Sequence, residues 1–514
     1  METFISRSPL VRLIRGFTSP FRNAVATAKT CYSSQGIVDD DQVGSEFERI
    51  GRSIYSAGHH TTFQHAHFQF ALSNVSRQFI WSFLHSHPFY NSEQVSQRYV
   101  AVQADSFAIP PLHGPALDLY RKTAQSQLDH YEDLVRILTV PMAEEVGKLF
   151  RRTPRIAQRF DRAVLKKARE VARYVLPVAT FACLYHTISG VTLLRYHRIC
   201  LHGEAPLEQQ IVVGKMVAAL LQFDPLYQSI LEEPLDPETL HTLGQDIGIT
   251  GNRGFASDFL REFDKRLDGR VSKLVSYKTN NEELLATAVR EVMGLPTAAL
   301  GDEDAIRLAL DPSRNRLLGE TLNLTTHGKL TRALFHPGYT FCKKLSHTAD
   351  SQNQRHRMTP ASRPDLAAHL SPDPDYIRPA LLDRSPQAER VFKTSMEQAW
   401  DAIHRLIRLG IPREFALYLL PNAAAVRFTE SSDLLNLRHK HAMRLCYNSQ
   451  EEIWRASVDE VLQIREVNPV IGRYLLPPCT LRKMAEVKPK CPEGDRFCGV
   501  PVWQLDIDQY NRII

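Results

Sequence analysis

The sequence has 514 residues, beyond the length at which one hydrophobic core stops growing, so two or more domains are expected and a single small binding module is excluded. With 43% hydrophobic and 23% charged residues it is not a mainly disordered chain, and no apolar run approaches the 18 or so residues of a membrane span. The net charge of +6, from 63 basic against 57 acidic residues, does not by itself imply a nucleic-acid partner.

In chain order, the opening METFISRSPLVRLIRGF places Arg7, Arg12 and Arg15 where a signal peptide needs its apolar run, which predicts a cytoplasmic protein. The segment 11–34, VRLIRGFTSPFRNAVATAKTCYSS, reads as a short apolar strand followed by a helix. FERIGRSIYSA has the three-and-four spacing of an amphipathic helix, and Phe68-Gln-Phe70-Ala-Leu72 alternates with period two as a strand does. Helical spacing returns in LDLYRKTAQSQLDHYEDLVRIL and IVVGKMVAALLQF, and later in QAERVFKTSMEQAWDAIHRLIRLG.

Six histidines fall between His59 and His87, with His65 and His67, and His85 and His87, spaced by two. Imidazole pairs suit several transition metals, but there is no HExxH and no acidic partner at a familiar spacing, so no metal site is expected. Eight cysteines without a CxxC pair read as free thiols rather than a disulfide framework. Ser96-Gln97-Arg98-Tyr99, with Gln78 upstream, sets a hydroxyl and a guanidinium two residues apart, a pair that can engage one phosphate or simply form a surface turn. Between Arg151 and Arg173 nine Lys/Arg face two acids, and Arg155, Arg159, Arg162, Lys166 and Arg169 recur every three or four residues. That pattern is either a solvated helix face or a polyanion-binding face. Downstream, Arg355-His356-Arg357 concentrates positive charge and imidazole before Pro360 and Pro364, in a loop suited to an anionic ring or phosphate or in a solvated basic turn.

Self-similarity organises the chain. Residues 11–34 resemble 271–294 at an offset of 260, with Ala26-Thr27-Ala28 on Ala286-Thr287-Ala288. Residues 50–78 resemble 317–349, each read as helix, His-bearing turn and strand, and 171–187 parallel 415–431 with Leu176-Pro177 on Leu420-Pro421. The expected organisation is copy 1 over 1–225, a helical connector over 226–267, copy 2 over 268–485 and a tail over 486–514. The expected fold class is α+β: two tandem copies of an antiparallel sheet wrapped by helices.

The segments VRLIRGFTSPFRNAVATAKTCYSSQGI, GHHTTFQHAHFQFALSNVSRQ and SEQVSQRYV resemble the flavin-dependent thymidylate synthase family, and copy 2 is a more remote relative carrying RHR and LLPNAAAVRFTESSDLLNLRHKHAMRLCYNSQEEI. The family signature is divided: copy 1 has His85-Ser86-His87 in place of RHR but keeps the SxRY element, whereas copy 2 has RHR and lacks SxRY. The resemblance implies that Ser96, Arg98 and Arg173 hold a nucleotide phosphate, with Gln78 also at the substrate, and that Arg444 contacts the uracil. It implies that Arg355, His356, Arg357, His439 and His59 bind the flavin, with Arg444 and Ser96 carrying the chemistry. The family needs no cysteine nucleophile, so no Cys/His pairing is expected.

The activity so implied is C5 methylation of dUMP to dTMP, with FAD as cofactor and NADPH and methylenetetrahydrofolate as co-substrates. Two alternatives stand beside it: a paralogue acting on another pyrimidine nucleotide or using another carbon donor, and a non-catalytic scaffold binding nucleotides or nucleic acid. The resemblance also implies a homodimer whose four copies imitate the family's tetramer. Each copy retains what the other lacks, so one site type is expected, built from Ser96 and Arg98 together with Arg355, His356 and Arg444.

Overall fold

The computed structural model describes residues 3–85, 88–103, 105–150, 153–154, 156–201, 205–236 and 253–512. The first copy opens with strand β1 (Leu10–Arg15) and helix α1 (Pro20–Thr30), where Pro20 occupies the first turn, which needs no backbone donor. Helix α2 (Phe47–Ser56) meets α1 closely, since a Cβ on Gly51 would stand 2.6 Å from the Phe21 ring. Strand β2 (His67–Ser76) buries Phe68, Phe70 and Leu72 on one face, as the alternation predicts. Helix α3 (Arg77–His85), strand β3 (Asn91–Gln94), the long helix α4 (Gly114–Leu149) and helix α5 (Ala157–Ala172) follow. Strand β4 (Phe181–Ser189), helix α6 (Gly190–Arg198) and helix α7 (Leu207–Phe223) complete the copy.

Of the expected connector, Pro225–Ile230 is a 3-10 turn and Arg253–Leu267 is helix α8; residues 237–252 lie outside the described residues. The second copy begins with β5 (Ser272–Tyr277), α9 (Asn281–Met293) and α10 (Asp302–Leu310). Next come β6 (Gly338–Ser346), α11 (His347–Asn353), β7 (Ala361–Ser362), α12 (Pro386–Arg408) and α13 (Arg413–Ala416). Strand β8 (Ala425–Asp433) leads to α14 (Leu434–Arg444), α15 (Glu451–Val467), α16 (Pro469–Gly472) and α17 (Pro478–Met484).

The two sheets have equivalent strand orders, β1-β2-β4-β3 and β5-β6-β8-β7, with every pairing antiparallel. The α+β class and the two tandem copies are therefore present. One local expectation is corrected: the helix read near the start of 317–349 is instead a series of 3-10 turns, Arg316–Gly319, Leu324–His327 and Thr331–Phe335. Asn323 has φ +53°, a left-handed conformation that stops a right-handed helix from propagating, and the β-branched Thr325 and Thr326 follow it.

The chain forms two compact units that exchange segments between the copies. Unit 1 comprises Met1–Leu128, Leu176–Asn252 and Asp401–Leu420; unit 2 comprises Asp129–Val175, Arg253–Trp400 and Pro421–Ile514. Unit 1 is built on the core of Phe21, Phe68, Phe70, Leu72, Phe83 and Val213. The core of unit 2 gathers Leu285, Val289, Tyr339, Phe341, Leu437 and Ile464. A stretch of copy 2 thus completes unit 1, and the stretch of copy 1 ending at Val175 completes unit 2.

Candidate active site

In unit 2, α5 brings Arg173 of copy 1 against residues of copy 2. The buried Arg173 donates from Nη2 to Gln450 Oε1 at 2.7 Å. Gln450 precedes α15 and, among its own bonds, accepts from Gln352 Nε2 and donates to Tyr174 Oη. The Gln352 carbonyl accepts from Arg444 Nη2 at 2.7 Å. A chain of hydrogen bonds therefore runs from Arg173 through Gln450 and Gln352 to Arg444, joining two guanidiniums that lie 271 residues apart in sequence. Tyr174 fixes its position by donating to Glu452 at 2.6 Å, while Ser346 binds the same carboxylate through its amide and hydroxyl.

The Arg355-His356-Arg357 turn follows α11, with His356 N donating to Asn353 O at 3.0 Å and Thr359 Oγ1 to His356 O at 2.7 Å. The imidazole of His356 lies edge-on to that of His439, with ring centroids 5.8 Å apart. Burial and the neighbouring Arg444, Lys440 and His439 hold His356 well below its ordinary pKa, so it is neutral, and its Nε2 is buried without a hydrogen-bond partner. His439 is lowered too, by burial and then by Arg438 and Arg444. Neutral imidazoles amid guanidiniums, with one ring nitrogen left unsatisfied, suit a planar anionic group that both accepts from cations and bonds to imidazole.

Beneath this turn lies a buried ionic network. Lys343 on β6 reaches Glu430 and, at 2.7 Å, Glu460; Lys440 on α14 also binds Glu430, and His441 contacts Glu460 at 2.9 Å. Asn353 at the end of α11 donates to Glu430 at 2.6 Å. Burial alone would weaken the charges of Glu430 and Glu460, but Lys343 and Lys440 hold both carboxyls below their usual range. With each charge matched, the network ties β6, β8, α11, α14 and α15 together and so fixes the backbone that carries His356 and Arg444.

The other sequence-derived candidates are in unit 1. Gln78 is buried at the start of α3, where its amide donates to Val178 O at 3.0 Å and its Oε1 has no hydrogen-bond partner. Ser96 and Arg98 share a half-buried turn after β3, Ser96 Oγ accepting from Arg98 N at 3.3 Å, and Arg98 lies over the Tyr99 ring at 5.7 Å. Arg77 anchors the approach to that turn through Gln94 and the Val95 carbonyl. His59 is exposed beside Gly58, and His85 lies edge-on to Trp81 with centroids 4.9 Å apart; Ser86 and His87 lie outside the described residues. In unit 2, Arg159 donates to Phe497 O at 2.9 Å and covers the Phe150 ring, and Lys167 pairs with Glu170 at 3.2 Å. The basic row thus includes packing contacts rather than forming one solvated face; Arg151, Arg152 and Arg155 lie outside the described residues.

The family model for the thymidylate synthase complementing protein matches the chain twice, over residues 12–226 and 273–470. The chain belongs to that family. This family member is 28% identical over 169 residues to the flavin-dependent thymidylate synthase of Geobacter sulfurreducens, covering 32% of this chain and 70% of that protein. It is 26% identical over 215 residues to that of Saccharolobus solfataricus, covering 41% and 78%. Among solved structures it is similar to the UMP/dUMP methylase PolB from Streptomyces cacaoi bound with 5-Br dUMP, at 18% identity over 44% of this chain and 95% of that one, with a TM-score of 0.32.

In this family member, unit 2 brings together Arg173, Arg444, His439 and the Arg355–Arg357 turn, while Gln78, Ser96, Arg98 and His59 belong to unit 1. Sequence reasoning missed Gln352, Gln450, Tyr174 and Glu452. Gln352 lies three residues before Arg355, and Gln450 is the second residue of the SQEEI stretch that the resemblance had already marked. Their hydrogen bonds, which depend on the meeting of two copies, had no local signal.

Proposed function

We propose that this protein methylates C5 of a uracil nucleotide, converting dUMP to dTMP, with FAD as cofactor and methylenetetrahydrofolate and NADPH as co-substrates. The observation that supports this most is the hydrogen-bonded path from Arg173 of copy 1 to Arg444 of copy 2 within one compact unit. Arg173 is assigned to a nucleotide phosphate, since guanidiniums match phosphate oxygens with paired donors, and the family resemblance gives Ser96 and Arg98 of unit 1 the same kind of contact. Arg444 is assigned to a uracil carbonyl oxygen. Uracil C5 is a weak nucleophile, and a cation at the carbonyl favours the electron shift that activates C5 for bonding to the one-carbon unit.

Arg355, His356, Arg357 and His439 of unit 2 are assigned to the flavin, and the family resemblance gives His59 of unit 1 a flavin contact as well. A bound flavin supplies hydride transfer, and the role of the chain is to hold it and to set its charge environment. The unsatisfied His356 Nε2 and the surrounding cations fit this group. The neutral imidazole keeps a ring nitrogen able to bond, while Arg355 and Arg357 flank it with positive charge that favours the anionic reduced form. We also propose a homodimer with four copies per particle, for which sedimentation of a single chain at micromolar concentration would be the contrary result.

The deciding experiment is tritium release from dUMP labelled at C5, with and without FAD, NADPH and methylenetetrahydrofolate. Release that requires all three supports the assignment. Absence of release together with absence of flavin absorbance in the purified protein would overturn it.

A further inference from the structure

Four of the eight cysteines meet in the carboxy-terminal part of unit 2, outside every role assigned above. Cys446 follows α14, Cys479 lies in the first turn of α17, and Cys491 and Cys498 belong to the tail; all four line one cavity of about 20 Å³. Each is a half-buried free thiol. Cys479 lies within electrostatic range of the other three, and Cys446 within range of Cys491 and Cys498. A space of this size holds about one water-sized particle, too little for an organic ligand or a metal–sulfur cluster.

Four sulfurs from separate chain segments around room for one atom form the donor set of a tetrahedral structural zinc site. Among the described residues no three His, Cys, Asp or Glu side chains already stand as a ligand set. Thiol chemistry accounts for that: neutral S–H groups gain little by converging, whereas thiolates are drawn to a zinc ion at about 2.3 Å as their protons pass to solvent. Cys491 and Cys498 themselves lie outside any helix or strand, on either side of the short 3-10 turn Gly494–Arg496, so their side chains can close on the cavity without breaking a longer element. Arg512, within electrostatic range of Cys498, supplies positive charge beside a tetrathiolate centre of net charge about −2.

We propose that Cys446, Cys479, Cys491 and Cys498 bind one zinc ion that fastens the tail to the helices of the candidate active site. Cys446 lies two residues beyond Arg444, and Phe497, adjacent to Cys498, accepts the hydrogen bond from Arg159 on α5, the helix that Arg173 follows. The zinc would thus clamp elements of both copies without touching substrate.

The test is metal analysis of the full chain purified without chelator, together with cobalt substitution. The expected result is about one equivalent of zinc per chain and, after exchange, the visible bands of tetrahedral thiolate-bound cobalt. Cys479→Ser and Cys491→Ser should each lose most of the metal and lower Tm, and Cys31→Ser, at an exposed thiol, should do neither. Should a serine variant fail to fold, removal of metal from the unmodified chain must still lower Tm and readdition of zinc restore it. Metal-free protein with no cobalt spectrum and a Tm indifferent to chelator and zinc would overturn the proposal, as would iron with acid-labile sulfide in place of zinc.

Discussion

Tyr174 donates a hydrogen bond of 2.6 Å to Glu452, a residue 278 positions later in the chain. Unit 1 holds the counterpart, Tyr418 donating to Glu208 at 2.9 Å. In each case a tyrosine just ahead of a Leu-Pro pair in one copy closes on a glutamate of the other, and a serine, Ser346 or Ser76, binds the same carboxylate. The backbone repeats the exchange: Val178 N donates to Leu420 O, and Ala423 N to Tyr174 O, both at 2.8 Å. The symmetry fails at the residue before the tyrosine, which is Arg173 in one place and Leu417 in the other. Only unit 2 therefore receives a guanidinium at the position just before the tyrosine.

Arg173→Ala is expected to weaken dUMP binding by about 1.5–3 kcal/mol, roughly 10- to 150-fold in Kd, with a much smaller effect on deoxyuridine. Calorimetry with the two ligands measures the difference. Equal losses would remove Arg173 from the phosphate.

Loss of Arg355 should deplete flavin. The expected cost to flavin binding is about 1–3 kcal/mol for Arg355→Ala and less for His85→Ala. The ratio of flavin to protein absorbance after gel filtration reports it, and equal retention by the two variants would count against the Arg355–Arg357 turn as the flavin holder.

Burial raises the Glu208 carboxyl to about 7, although Ser76 and Tyr418 hydrogen bonds act in the opposite direction. Between its unfolded value of 4.5 and about 7 the folded state binds the extra proton, so this group makes stability fall as pH rises across that window, by a total on the order of 2–4 kcal/mol. Tm followed from pH 4.5 to 8 should show this slope in the unmodified chain and a flatter one in Glu208→Gln. Parallel profiles would show that Glu208 does not titrate there.

Tyr418→Phe and Tyr174→Phe each remove a donor to a buried carboxylate and should cost about 1–3 kcal/mol in urea unfolding. Tyr32→Phe, at a side chain 91% exposed, should change nothing measurable. If the buried pair behaved like Tyr32, the exchanged segments would be held by packing and backbone hydrogen bonds without help from the tyrosines.

Local patterns made much of the architecture readable. Phe68, Phe70 and Leu72 announced β2 by their alternation, and the repeated Ala-Thr-Ala and Leu-Pro segments announced a second sheet before any strand was seen. The helix read at the start of 317–349 failed because Asn323 takes a left-handed conformation that apolar spacing does not encode. Of the candidate site, Arg173, Arg355, His356 and Arg444 were legible because each sits in a recognisable string. Gln450 and Gln352 were not, because a glutamine acquires its role only from the groups it bridges.

By itself the sequence determined that the chain is a duplicated sheet-and-helix protein with a basic RHR turn in only one copy, because periodicity and repetition are local properties of the polymer. Only the tertiary structure decided that the copies trade segments, that Arg173 serves the unit built mainly from copy 2, and that four scattered cysteines line one cavity. These depend on contacts between residues tens to hundreds of positions apart, which form when buried carboxylates such as Glu452 and Glu208 must find donors, one of them a serine of their own copy and one a tyrosine of the other.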